Sequence, residues 1–171
     1  MKIVLIGYMG SGKTTIGKLV AEEINVEFVD LDDYIESSLH EKIAHIFETK
    51  GELYFRKKES ELLNEILKDD RDLVIAVGGG TPCYGINMDT ILEKTPLVFY
   101  LKLSIASLAE RLYKQKEHRP LIAHLGDEDL PEFIGKHIFE RGVFYSRANY
   151  TVSGDNRLPE DVKDEILTLL P

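Results

Sequence analysis

Gly7-Tyr8-Met9-Gly10-Ser11-Gly12-Lys13-Thr14 decides how the rest of the chain is read, because it fits the G-x-x-x-x-G-K-[ST] phosphate-binding loop. Lys2-Ile3-Val4-Leu5-Ile6 runs into it as a short β-branched segment, and Ile16, Leu19, Val20 and Ile24 follow at helical spacing. Strand, glycine loop and helix form the context such a loop requires. Glycines let successive backbone N–H groups turn inward, and a helix starting near Lys13 adds its positive end to the same concavity. Gly10, Ser11, Gly12, Lys13, Thr14 and Thr15 are therefore the expected contacts of a nucleoside triphosphate. Lys13 would reach the β- and γ-phosphates, and the Thr14 hydroxyl would ligate Mg2+. The loop by itself does not say whether water or a second substrate receives the phosphate.

At 171 residues the chain fits one domain with a substantial core. Its 43% hydrophobic and 30% charged residues describe an ordinary globular protein. No apolar run approaches the length of a membrane span, and Met1-Lys2 leads straight into a strand rather than a signal peptide. Cys83 is the single cysteine, which excludes a disulfide framework or a cysteine metal cluster. A cytoplasmic protein is expected. Lys+Arg 21 against Asp+Glu 30 gives a net charge of −9, which argues against nucleic acid as a partner.

Further along, Val26 to Asp32 reads as a second strand ending in Asp30 and Asp32, whose spacing of two would put both carboxylates on one face. Asp33 to Leu39 and Ile43 to Phe47 read as short helical pieces, with Gly51 closing the second. Tyr54 to Leu67 is an amphipathic helix carrying Arg56 near its start. Asp72 to Val77 is a buried strand running into Gly78-Gly79-Gly80. Asn87 to Lys94 is a short helix and Leu97 to Leu103 a fourth strand. A helix to about Tyr113 follows, capped by Ser104 or Ser107, the latter with Glu110 at capping-box spacing. Lys114 to Leu121 is a polar loop, Leu130 to Tyr145 a helix, Tyr150 to Val152 a fifth strand, and Pro159 to Leu170 a terminal helix. This alternation predicts a three-layer α/β/α fold around a five-stranded parallel sheet. Ligands of such sheets bind beyond the carboxyl ends of the strands, which gathers Gly7–Thr14, Asp30, Asp32 and Gly78–Gly80 at one site.

Gly7 to Gly17, Asp30-x-Asp32, Phe55-Arg56-x-x-Glu59, Gly78-Gly79-Gly80, Arg119-Pro120-Leu121 and Arg141-x-x-x-Tyr145 occur in the order and rough spacing of shikimate kinases, a family this sequence resembles over nearly its whole length. The resemblance implies a P-loop kinase of one domain, residues 1–171, with a mobile lid at about 113–126. It implies transfer of the γ-phosphate of Mg-ATP to the 3-hydroxyl of shikimate, a step of aromatic amino-acid biosynthesis; a monomeric or weakly associating enzyme without nucleic-acid or membrane partners is expected. Arg56 and Arg141 would form a planar, bidentate fork for the shikimate carboxylate. Gly78, Gly79 and Gly80 would admit the backbone close to the substrate. By the same resemblance Asp32 would hold the reacting hydroxyl and take its proton, Asp30 would help hold Mg2+ through water, and Arg119 would act from the lid on ATP and the transferring phosphoryl group.

Each residue also has an ordinary reading. Asp-x-Asp at a strand end often caps a helix, a helical arginine is commonly solvated or paired at i,i+4, and Cys83 reads as a packed small hydrophobe. His118 reads as a solvated loop residue. The family often has an adenine-stacking arginine seven residues before the lid arginine, but Leu112 stands there, leaving Arg111 or the loop around Ser153 to Arg157 for that contact. Rival readings are a gluconate-type or nucleoside monophosphate kinase, and a nucleotide-dependent switch without an acceptor.

Overall fold

The computed structural model describes residues 1–116 and 120–171. Five parallel strands, β1 (Lys2–Ile6), β2 (Glu27–Asp30), β3 (Leu73–Ala76), β4 (Val98–Lys102) and β5 (Tyr150–Ser153), form one sheet in the order β2-β3-β1-β4-β5. β1 lies at the centre, with Val4 level with Ile75 on one side and Val98 on the other. Both faces of the sheet are covered by helices, so β1 and β3 are buried along their entire lengths and, apart from Lys2 at the start of β1, consist of apolar residues.

Alternate side chains of β1 point to opposite layers. Val4 and Ile6 pack with Ile75, Tyr100 and Tyr145 in one core. α2 (Leu31–Leu39), α3 (Ile43–Lys68) and α4 (Asn87–Lys94) lie over this face. Ile3 and Leu5 face the other core, where α1 (Lys13–Glu23) contributes Ile16 and Val20 and α8 (Pro159–Thr168) contributes Val162 and Ile166. A third cluster joins α5 (Ile105–Tyr113), α6 (Pro120–Ala123) and α7 (Leu130–Tyr145) to Tyr8, through Leu108, Leu112, Ile122 and Ile134. The phosphate loop therefore rests on its own apolar support. Among the described residues no helix is long and apolar enough to cross a membrane.

The fold class and the five parallel strands are as the sequence predicts, and four local features differ or refine the reading. β2 stops at Asp30, and Asp32 belongs to the first turn of α2. The two carboxylates are thus not paired on one face of a strand. Asp30 instead caps the helix, its Oδ1 accepting from the Asp32 N–H at 3.1 Å. Gly51, with φ 83° and ψ 170°, breaks α3 into two helical runs, as a closing glycine should. α5 is capped by Ser104, whose hydroxyl accepts from the Ser107 N–H at 3.1 Å, so Ser107 and Glu110 do not form the box at its start. Finally, the expected loop over 114–121 runs into α6 at Pro120, a residue type suited to a first turn because its missing N–H has no helical partner to lose.

Candidate functional site

The sheet order sets the carboxyl ends of β2, β3 and β1 side by side. Their loops line a cleft of about 350 Å3 that includes Gly10, Lys13, Thr14, Asp30, Asp32 and Gly79. Gly10 and Gly12 have φ of 79° and 94°, and Gly12 is the left-handed residue from which α1 starts. A side chain there would strain the turn. Lys13 bends back over the loop, donating from Nζ to the carbonyls of Gly7 at 2.8 Å and Tyr8 at 3.0 Å. Ser11 Oγ is buried and is the one such side-chain atom among the described residues without a hydrogen-bond partner. An orphaned hydroxyl inside a glycine-built concavity fits an anionic ligand that supplies the acceptor. Thr15 is exposed at the cleft wall, in the first turn of α1.

Thr14 Oγ1 donates to Asp30 Oδ2 at 2.7 Å, so the hydroxyl and the carboxylate expected at a metal converge. Among the described residues no group of three or more His, Cys, Asp or Glu could hold a metal ion. A hydroxyl and one or two carboxylates, completed by phosphate oxygens and water, is nevertheless the incomplete, all-oxygen set that Mg2+ uses in phosphoryl-transfer sites, and the residues fit it.

Asp32 sits at the exposed cleft mouth with its carboxylate turned in beside Gly78. Burial by the surrounding cleft wall pushes its titration up to about 6, Asp30 and Glu59 add repulsion, and Lys13 and Arg56 pull it partly back. The two neighbouring carboxylates give that direction a cause independent of how deeply the group is enclosed.

Beyond Asp32 the cleft continues between α3 and α7. Arg56 donates from Nη1 to Glu59 at 2.8 Å and lies 3.6 Å from the exposed Glu52. Glu59 is only 1% exposed, and its second oxygen accepts from Thr81 Oγ1 at 2.6 Å. Asn87 in turn donates to the Thr81 carbonyl at 2.9 Å. A buried carboxylate with two donors is a fixed anchor for a cation.

On the opposite wall Arg141 lies over the Tyr8 ring, 5.5 Å from its centroid, with no carboxylate partner among the described residues. Next to it the Tyr145 hydroxyl donates to the Gly79 carbonyl at 2.6 Å.

The triple glycine is required by space rather than by backbone angle. A Cβ at Gly80 would lie 2.6 Å from Arg56 Nη2, one at Gly79 3.2 Å from the Met9 N, and one at Gly78 3.1 Å from Asp32 Oδ1. Cys83 is half-buried beside both guanidiniums. Burial raises its thiol to about 11 and the two arginines oppose this, which leaves it a neutral packing residue.

Of the residues singled out in the sequence, Gly10 to Thr15, Asp30, Asp32, Arg56, Gly78, Gly79, Gly80 and Arg141 come together around this cleft. Arg119 and His118 lie outside the described residues. The two candidates for the adenine contact turn out to be neighbours: Arg111 donates to the Gly10 carbonyl at 3.3 Å and to the Gly154 carbonyl at 3.5 Å. Sequence reasoning missed the parts played by Glu59, Thr81 and Tyr8. For Glu59 the signal was its i,i+3 spacing from Arg56. Nothing local marks Thr81 or Tyr8.

A separate depression of about 360 Å3 between α2 and the start of α3 is lined by Asp33, Glu36, Ser37, His40, Glu41 and Lys42. None of its lining residues belongs to the cleft described above.

Residues 9–171 match the family model for shikimate kinase. The shikimate kinase of Flavobacterium psychrophilum is 43% identical over 169 residues, covering 99% of this chain and 98% of that one. The crystal structure of shikimate kinase from Bacteroides thetaiotaomicron superposes with a TM-score of 0.91 at 34% identity, over 99% of this chain and 97% of that one. That of the Acinetobacter baumannii shikimate kinase, in complex with shikimate, gives 0.88 at 34% identity, over 98% and 91%.

Proposed function

The chain belongs to the shikimate kinase family, and from that premise we propose that it transfers the γ-phosphoryl group of ATP to the 3-hydroxyl of shikimate, yielding ADP and shikimate 3-phosphate. The observation that carries the acceptor reading is the convergence of Arg56 and Arg141 on Gly79 and Gly80, next to the phosphate loop. A small carboxylate with ring hydroxyls needs a cationic fork at one end and a hydrogen-bond acceptor at the other, and Asp32 faces the same space.

The phosphates of ATP lie in the loop from Gly7 to Thr14, where Ser11 and the backbone N–H groups donate and Lys13 leaves its carbonyl partners for the β- and γ-phosphates. Thr14, and Asp30 through water, would hold Mg2+, which neutralises charge on those phosphates when bound. Arg56, held by Glu59, and Arg141 pin the shikimate carboxylate. Asp32 aligns the 3-hydroxyl and takes its proton as the oxygen attacks phosphorus. The bond to the β–γ bridging oxygen breaks, and ADP leaves with the electron pair. A base titrating near 6 is ionised at neutral pH and still accepts a proton readily. Arg111, beside Gly154, takes the adenine. Arg119 acts from a lid over 113–126, within a single domain spanning 1–171. We read the enzyme as a cytoplasmic monomer.

ADP release from the purified chain with Mg-ATP tests this, comparing no acceptor, shikimate, gluconate and AMP. Turnover that appears only with shikimate is expected. Slow release indifferent to every acceptor would instead make the protein a hydrolase or switch.

A further inference from the structure

Phe133, His137 and Arg141 follow one another at intervals of four along α7 and so form a stripe on one face of the helix. That face meets Tyr8, the second residue of the phosphate loop. The Tyr8 ring is 2% exposed, within the cluster formed by Leu103, Leu108, Leu112 and Ile134. Its hydroxyl lies 3.0 Å from His137 Nδ1, and its face lies under the Arg141 guanidinium. His137 is itself wedged against Phe133, with ring centroids 4.3 Å apart. One tyrosine therefore bridges two residues of the same helix, touching one with its hydroxyl and the other with its ring.

Arg141 needs such a support. An arginine side chain has several rotatable bonds and loses much conformational freedom when it is ordered. Arg56 is ordered by the buried Glu59, whereas among the described residues Arg141 has no carboxylate to hold it. What contacts it is the π face of Tyr8, the backbone at Gly79 and the neighbouring Tyr145. An aromatic face orients a guanidinium without neutralising it, so its charge stays available to an incoming anion. The hydroxyl at the far end fixes the tilt of that face.

Both partners are neutral. Burial, with Arg141 and Lys136, holds His137 below its ordinary value against the opposing Glu140, and burial raises the Tyr8 phenol to about 12. Two neutral groups then share one hydrogen bond between the phenol and the imidazole, and no charge competes with Arg141 for the substrate.

We propose that Tyr8 and His137 are positioning residues of the acceptor site: the Tyr8 ring, pinned by His137, sets the plane of the Arg141 guanidinium and ties it to the backbone of the phosphate loop. The inference rests on reading Arg141 as a ligand of the shikimate carboxylate. Its consequence is that acceptor affinity depends on a hydroxyl that touches neither substrate.

Steady-state kinetics on the full chain test this with His137→Leu, His137→Gln, Tyr8→Phe, the Leu/Phe double variant and Arg141→Lys, each first shown by thermal melting to be folded. His137→Leu and Tyr8→Phe should each raise the shikimate KM by about 3- to 10-fold, the range an oriented cation–π contact covers. The double variant should be no worse than the poorer single, because both remove one interaction. His137→Gln, whose amide can either accept from the phenol or donate to it, should recover most of the affinity. For His137→Leu, kcat and the ATP KM should stay within about twofold of the parent.

An unchanged shikimate KM in folded His137→Leu and Tyr8→Phe overturns the inference, as do fully additive losses or equal rises in the two KM values. If His137→Leu does not fold, Tyr8→Phe, which removes a single oxygen, decides alone. Arg141→Lys separates the two levels. A raised KM there without any effect at residues 8 and 137 removes only the positioning role. No effect at Arg141 removes the site reading beneath it.

Discussion

Arg56 and Glu59 are one turn apart on α3, 2.8 Å from guanidinium nitrogen to carboxylate oxygen, with Glu59 buried and Arg56 partly open to the cleft. The pair is therefore not a surface ion pair of small worth. It presents the remaining guanidinium N–H groups outward in a fixed plane.

Replacing Arg56 with Lys keeps the charge and removes the fork. The shikimate KM should rise about 10- to 100-fold, the range of one or two charge-assisted hydrogen bonds, with a smaller change in kcat. Steady-state kinetics at varied shikimate measure this, and an unchanged KM would remove Arg56 from the acceptor site.

Lys13→Met should act on the chemical step. Loss of a preorganised cation at the transferring phosphoryl group lowers kcat by about 100- to 1,000-fold while the protein remains folded, because the Lys13 ammonium reaches the carbonyls of Gly7 and Tyr8 at the cleft rather than the apolar core. Single-turnover ADP formation at saturating ATP checks it; a kcat near the parent value would contradict the role.

Asp32 makes opposite predictions for activity and stability. Asp32→Asn cannot take the proton, so turnover should fall about 100- to 10,000-fold. In the parent, kcat/KM for shikimate should rise with pH as this carboxyl ionises around pH 6 in the ligand-free enzyme. For stability, the folded state holds the Asp32 proton more tightly than the unfolded chain, whose carboxyl has its ordinary value of 3.8. The associated stability is complete below that value and is lost as pH rises through about 6. Asp32→Asn should therefore melt higher than the parent at pH 7 to 8, by up to about 2–4 °C, and the gap should close near pH 4. Parallel melts without nucleotide across this range test the sign.

Two glycine substitutions separate function from packing. A Cβ at Gly80 would meet Arg56 Nη2 at 2.6 Å, so Gly80→Ala should displace the guanidinium and raise the shikimate KM with little loss of stability. A Cβ at Gly17 would meet the Phe28 ring at 2.4 Å in the core under α1. Gly17→Ala should cost about 1–3 kcal/mol of stability by overpacking and leave KM unaltered. Chemical denaturation and kinetics on both variants distinguish the outcomes.

The sequence by itself determined the strand-loop-helix at Gly7–Thr14, the alternation that gives a parallel sheet, the break at Gly51, the end of the third strand before Gly78, and the residues gathered at the strand ends. All of these rest on local chemistry: backbone angles only glycine adopts easily, apolar periodicity, and capping groups a few residues away. Asp30 and Asp32 show where local reading fails, since a strand and a capped helix start both accept Asp-x-Asp, and only the end of pairing with β3 at Ala76 decides between them. Tertiary structure alone decided what each cleft residue touches. Tyr8 meets His137 across 129 residues, Arg111 meets Gly154 across 43, and Thr81 meets Glu59 across 22. Burial turns Glu59 from an ordinary helical acid into an anchor and raises Asp32 toward neutrality. Those properties depend on desolvation and on charges brought near by the fold, which no spacing along the chain encodes.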